Sequence, residues 1–171
     1  AETFLQRVST NDVSIADDRV IYSLMLNDRG GIEGDVTIAR HDKTRFMIMS
    51  AISHTRRNRD HLQHTILASE DVIIRDVTSA YAVLALSGPL SRAVLEILVD
   101  ISLSDKDFPP YSLQQFYIGH APVFAQRLSF TGEMGWEIFI TPDFAEYVFE
   151  QLYRAGQAYD LRLAGGEALN A

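Results

Sequence analysis

The chain has no cysteine, which excludes disulfide staples, thiolate nucleophiles and cysteine-bound zinc. No run approaches the roughly 18 apolar residues of a membrane span. Positive charge is scarce: 15 lysines and arginines stand against 23 acidic residues, for a formal net charge of −8. That balance argues against a nucleic-acid partner or an anionic membrane surface, and an anionic ligand would need local basic help. No glycine-rich loop precedes a helix to cradle phosphate, and Ser50, Ser53 and Thr55 lie in no nucleophile elbow. Internal repeats and low-complexity linkers are missing too. What is present is the stuff of one ordinary domain: 171 residues, 47% hydrophobic and 22% charged, enough to bury a core.

The apolar pattern reads as mixed helix and strand. Phe4, Leu5 and Val8 share a face of an opening amphipathic helix. Val20–Leu26, Ile32–Ala39 and Arg45–Met49 read as three antiparallel strands, joined by turns at Asn27–Gly31 and His41–Thr44. A polar helix is expected over Ser53–Leu67 with Ser53 as N-cap, followed by strands at Asp71–Asp76 and Ala80–Leu86. Pro89 opens a helix to about Val99, with Leu90, Val94, Leu95 and Leu98 as its apolar stripe. After a proline-punctuated loop at Asp105–Ser112 come strands Gln115–Ile118 and Ala121–Ser129. A helix from Thr141 to about Ala155 closes the pattern, capped by Thr141, led by Pro142 and ended by Gly156. This is an α+β arrangement of antiparallel sheets with packed helices. Both ends fall inside apparent helices, so the chain is expected to be a piece of a longer one, a single domain over 1–171 truncated at both ends.

The most informative stretch is Arg127–Ile140. It reads as strand, tight turn and strand, with Phe130 ending the first strand, Glu137 seven residues on, and Gly132 and Gly135 supplying positive φ. Such a hairpin would hold Phe130 near Glu137. An aromatic face beside a fixed carboxylate suits a flat heterocycle with an amidine-like donor edge, as in a pterin. By default, though, a glycine-rich hairpin is only a hairpin. Asp35 is the other carboxylate of interest, near glycines at the start of a strand where a ligand can pack closely. Tyr22 lies on the partner strand and would approach Asp35 across the ladder. A solvated aspartate and a packed tyrosine are the plain alternatives. His61 and His64 stand three apart, but no acidic residue completes a metal set and Arg56, Arg57 and Arg59 would repel a cation, so no metal is expected. Those arginines could instead meet an anionic ligand tail.

Four ordered pieces carry a resemblance: Phe4–Val13, Tyr22–Asp35 (with Asn27-Asp-Arg-Gly-Gly31), Arg127–Ile138 (with Phe130-Thr-Gly-Glu133), and Ala164-Gly-Gly-Glu-Ala-Leu169. Together they are similar to the folate-binding domain shared by glycine-cleavage T-protein and the sarcosine and dimethylglycine dehydrogenases, with wording closer to the dehydrogenases. The resemblance implies a T-protein-like domain lacking its C-terminal barrel, with tetrahydrofolate as cofactor. Asp35 matches the catalytic aspartate near the reacting nitrogens. Glu137 matches the glutamate on the pterin edge, and Tyr22 a tyrosine lining the folate pocket. Phe130 stands where several relatives carry tyrosine, so it can stack but cannot donate a hydroxyl. Arg127 also matches, with a structural role expected.

The implied activity is transfer of a methylene unit from an amine-derived iminium to tetrahydrofolate. FAD would reside on a flavin domain of the same polypeptide, outside this chain. The alternatives are a T-protein-like aminomethyltransferase served by a lipoyl carrier, and a folate-binding module that does no transfer. The resemblance places the protein in bacterial cytoplasm, or in the mitochondrial matrix of a eukaryote, and implies that the chain alone binds folate weakly or not at all and is inactive.

Overall fold

Alternating burial along the chain builds two antiparallel sheets, each backed by helices. The computed structural model describes residues 1–166, so the last part of the fourth resemblance piece, Glu167–Leu169, lies outside the described residues. The chain divides into two compact units, Ala1–Val77 and Thr78–Ala171.

In the first unit, helix α1 (Glu2–Val8) buries Phe4, Leu5 and Val8, the face its spacing predicts. Strands β1 (Arg19–Leu26), β2 (Ile32–Arg40) and β3 (Phe46–Met49) form a sheet in that order, all antiparallel. Met25, Val36 and Ile38 face a core shared with α1 and with Leu62 of helix α2 (Thr55–Thr65). A 3-10 turn over Ile52–His54 precedes α2, so its N-cap is His54, not the expected Ser53, and no side chain caps it. No strand forms at Asp71–Asp76. Val72 and Ile74 pack on the core while Ile73 is 77% exposed, so the alternation is real, but the segment joins no ladder.

The tail of α1 is tied to β1 by a polar clamp. Backbone N–H groups of Thr10 and Asn11 both donate to the fully buried Ser23 Oγ at 3.1 Å, and Asn11 Nδ2 donates to the Tyr22 carbonyl at 2.6 Å. The Ser-Thr-Asn-Asp cluster therefore fastens an edge strand as well as ending a helix.

In the second unit, β4 (Ala82–Ser87), β5 (Leu113–Ile118), β6 (Ala121–Gln126) and β7 (Gly135–Ile140) form a sheet ordered β4-β7-β6-β5. Trp136, Ile138 and Ile140 point to one core with Val94 and Leu95 of α3 (Ser91–Glu96) and Val148 and Leu152 of α4 (Pro142–Gly156). Helix α3 is shorter than its apolar stripe predicts. Gly88 turns the chain at φ +116°, Pro89 stays in that turn, and Leu90 becomes an exposed cap residue. Helix α4 begins at Pro142 as expected, although Thr141 makes no side-chain cap bond. It ends at Gly156, as expected, and a 3-10 turn over Gln157–Tyr159 follows, closed by Asp160 at φ 54°; Gly156 leaves room for Leu161, whose Cβ a methyl group there would meet at 2.5 Å. Among the described residues neither sheet closes into a barrel.

Candidate functional site

In the first unit, the turn between β1 and β2 sets the site's register. Asn27 organises it: its Oδ1 accepts from the N–H groups of Arg29 and Gly31, its Nδ2 donates to Glu33 Oε1, and its own N–H bonds the Gly31 carbonyl. Gly30 takes φ 76°, which suits glycine. The resulting ladder pairs Leu24 with Asp35 and Tyr22 with Thr37. Tyr22 and Asp35 are thus diagonal neighbours on one sheet face, about 7–8 Å apart for such pairs. The expected approach is met, but the tyrosine is not a core residue: it is 52% exposed. Asp35 is exposed as well, while Val36 and Ile38 alternate into the core. Among the described residues the Asp35 carboxylate makes no hydrogen bond or ion pair. A carboxylate held on a rigid strand with its acceptors free can take a proton or face a cation.

Close backbone approach fixes β2 from behind. A Cβ on Gly34 would lie 2.6 Å from Asn58 Oδ1 and 2.9 Å from Met25 Cε. Only glycine admits α2 this near the residue before Asp35. Of the arginines of α2, Arg57 bonds Glu33 at 3.1 Å and Arg59 pairs with Asp60 and Asp76, while Arg56 stays 90% exposed, 3.9 Å from Asp60.

In the second unit the expected hairpin is only partly formed. Strand β6 stops at Gln126, and the residue opposite Glu137 is Gln126, not Phe130. Phe130 lies in the connecting loop and is 79% exposed. The structure does not bring it beside Glu137. The reason lies at Arg127. Its backbone N–H donates to the Ser112 carbonyl and its carbonyl accepts from Tyr111, so the chain turns toward the start of β5 and away from β7. Its guanidinium is buried, donating to the Phe108 carbonyl at 2.5 Å and to Asp105 at 2.7 Å, 5.6 Å from the centre of the Trp136 ring. Asp105 also bonds Arg92, and these two partners, Arg127 first, hold its carboxyl below the usual range. Arg127 is structural, as expected.

Only Gly132 of the two loop glycines takes positive φ, at 76°. Gly135 serves by lacking a side chain, since a Cβ there would meet the Leu86 carbonyl at 2.7 Å.

Glu137 faces away from the Trp136–Ile138–Ile140 core, half-buried between Ala85 on β4 and Gln126 on β6. Gln126 Nε2 donates to Glu137 Oε2 at 2.5 Å. Burial raises the carboxyl above its ordinary value, and the Gln126 bond opposes this. On the same face Phe124 and Phe139 stack at 4.5 Å between centroids, with Tyr81 edge-on to both. Sequence reading missed Gln126, Asn11 and Ser23. Asn11 and Ser23 fall within the motif pieces, but the partners through which they act, like that of Gln126, are supplied only by the fold.

The model described as the GCVT N-terminal domain matches residues 1–171. The chain is 32% identical over 166 residues to a 4-methylaminobutanoate oxidase (formaldehyde-forming) of Paenarthrobacter nicotinovorans, covering 97% of this chain and 20% of that protein. It is 33% identical over 169 residues to an aminomethyltransferase of Chlorobium phaeobacteroides, covering 96% of this chain and 45% of that protein. The crystal structure of glycine cleavage system aminomethyltransferase T from Bartonella henselae matches with a TM-score of 0.77 at 25% identity, over 98% of this chain and 44% of that one. The chain spans less than half the length of each of these relatives.

Proposed function

The chain belongs to the GCVT N-terminal domain family, an α+β domain of aminomethyltransferase T type, and from this we propose that it is a tetrahydrofolate-binding, one-carbon-transfer domain of a sarcosine or dimethylglycine dehydrogenase-like protein. The observation that carries the reading is Glu137. It is a carboxylate kept half-buried against the cost of desolvation, with acceptor positions left for a donor edge. A pterin's amidine-like edge offers two parallel N–H donors, and a carboxylate answers both.

Bound tetrahydrofolate would supply two nucleophilic nitrogens for a methylene unit from an iminium carbon, with two protons given up in the transfer, one of them to the departing amine. Asp35, exposed and unpaired on its strand, is the acceptor for the other proton and opposes the positive charge of the iminium. Tyr22 lines the same sheet face and offers its ring and hydroxyl to the folate. Holding the reactants in place supplies much of the rate for such a transfer. Phe130, out in the loop, would reach the ring only from there. FAD on a flavin domain of the same polypeptide would supply the two-electron oxidation that makes the iminium from the amine. The likeness to an oxidase whose name specifies an N-methyl amine and formaldehyde favours this supply.

A second reading takes its one-carbon unit from a lipoyl carrier, as favoured by the likeness to the Chlorobium aminomethyltransferase. A dinucleotide-binding Gly-x-Gly-x-x-Gly upstream in the gene decides for the flavin-linked form.

Calorimetric titration of the full-length protein with tetrahydrofolate tests the anchor. Glu137→Ala is expected to weaken binding about 10- to 100-fold, the equivalent of one or two charge-assisted hydrogen bonds. Equal affinity in variant and wild type refutes it.

A further inference from the structure

Gln126 ends β6 on an inner strand of the second sheet, between Glu137 on β7 and Leu113 on β5. It is fully buried. One half of its amide is used: Nε2 donates to Glu137 Oε2. The other half is not, since Oε1 is buried with no hydrogen-bond partner. An orphaned buried acceptor costs stability, and a methionine or leucine would fill the same space without that cost. Fold stability alone therefore does not account for a glutamine here.

The group it serves has no other polar neighbour across the ladder. Glu137 meets Ala85 on β4 and Gln126 on β6, and flanking it on its own face of β7 are Gly135 and Phe139. No charged or titratable side chain occupies those cross-strand or flanking positions. A glutamate with three rotatable bonds beside an alanine methyl would otherwise swing between orientations. An arginine or lysine partner would hold it, but would also pair with its charge and compete with a ligand. A neutral amide holds one oxygen and leaves the charge in place.

We propose that Gln126 is a positioning residue that holds Glu137 through one lone pair of Oε2 and so leaves Oε1 and the second lone pair of Oε2 to the two parallel N–H donors of a ligand, the amidine-like edge of a pterin. The inference rests on the reading of Glu137 as the pterin anchor and adds a specificity element to it. The direction of the carboxyl's titration agrees: burial raises it and the Gln126 bond opposes the rise.

Two measurements test this. In wild type, the Gln126 side-chain amide protons and the Glu137 carboxyl carbon are followed by NMR against pH. One Nε2 proton is expected to shift with the same midpoint as the carboxyl. In Gln126→Met, which keeps the volume and removes the donor, the Glu137 midpoint is expected to move upward. In the full-length protein that variant should raise KM for tetrahydrofolate about tenfold with kcat little changed, a split that mere loosening of the core would not give. A Gln126 amide that ignores the Glu137 titration, or a midpoint unmoved in Gln126→Met, overturns the inference. Should Glu137→Gln leave tetrahydrofolate affinity unchanged while the Gln126→Met midpoint still moves, the folate reading fails and the Gln126–Glu137 coupling stands.

Discussion

At Glu137, lost hydration pushes the carboxyl above its ordinary range, and the N–H donated by Gln126 only partly offsets the push. The folded protein therefore holds this proton more tightly than the unfolded chain does. By linkage, the group's contribution is fully present below the unfolded pKa and is lost as pH rises through the folded one. Glu137→Gln should consequently stabilise the protein at neutral and alkaline pH and make little difference in acid. Denaturant midpoints of the two proteins, compared across pH, should separate as pH climbs through the Glu137 midpoint; a gap independent of pH would refute the assignment. Asp105 has the opposite sign, since Arg127 and Arg92 lower it, and its contribution is lost as pH falls. The contrast is informative. Asp105 is held by cations as a structural acid is, whereas Glu137 stays where only a neutral amide helps it, as a recognition group would.

At the level of elements, the ladder of β1 and β2 is what places Tyr22 and Asp35 on one face, and Gly34 is the point where that ladder meets α2. Gly34→Ala would drive a methyl group to 2.6 Å from Asn58 Oδ1, inside a packed core. We expect a loss of about 1–3 kcal/mol, the usual cost of overpacking, measured by denaturant unfolding. Adding Asn58→Ala should recover most of it, because the two sites share one space; no recovery would show that the clash is not the cause. This ladder was legible in the sequence. Asp35 and Thr37 alternate with Val36 and Ile38, and Asn27–Gly31 carries the turn chemistry that sets the register. The second hairpin was less so. Leu128-Ser-Phe130 continues the pattern of a strand, but Arg127 gives its backbone bonds to Tyr111 and Ser112, partners about 15 residues earlier that no local window contains. Phe130 therefore lies outside the strand that its local pattern predicts. Asp71–Asp76 shows the converse: its side chains alternate in and out, yet it has no neighbour to pair with.

For the whole molecule, the net charge of −8 argues against a nucleic-acid partner or an anionic membrane surface, and among the described residues no helix is long and apolar enough to cross a membrane. The chain belongs to the GCVT N-terminal domain family, and on that basis we propose a part in recognition for Glu137 and a part in reaction for Asp35. The local pattern marks Asp35 only as a carboxylate near glycines, and an exposed strand aspartate is ordinary. What distinguishes it is a fixed place opposite Leu24, beside Tyr22, with no partner of its own. The most direct measurement follows the fate of the methyl carbon in the full-length protein. With 13C-methyl amine substrate and saturating tetrahydrofolate, the label is partitioned between 5,10-methylenetetrahydrofolate and free formaldehyde, in wild type and in Asp35→Ala. We predict that the variant oxidises the amine at an unchanged rate and forms labelled methylenetetrahydrofolate on the protein about 100-fold more slowly, with formaldehyde released instead. Equal labelling of the folate by both proteins would contradict the account.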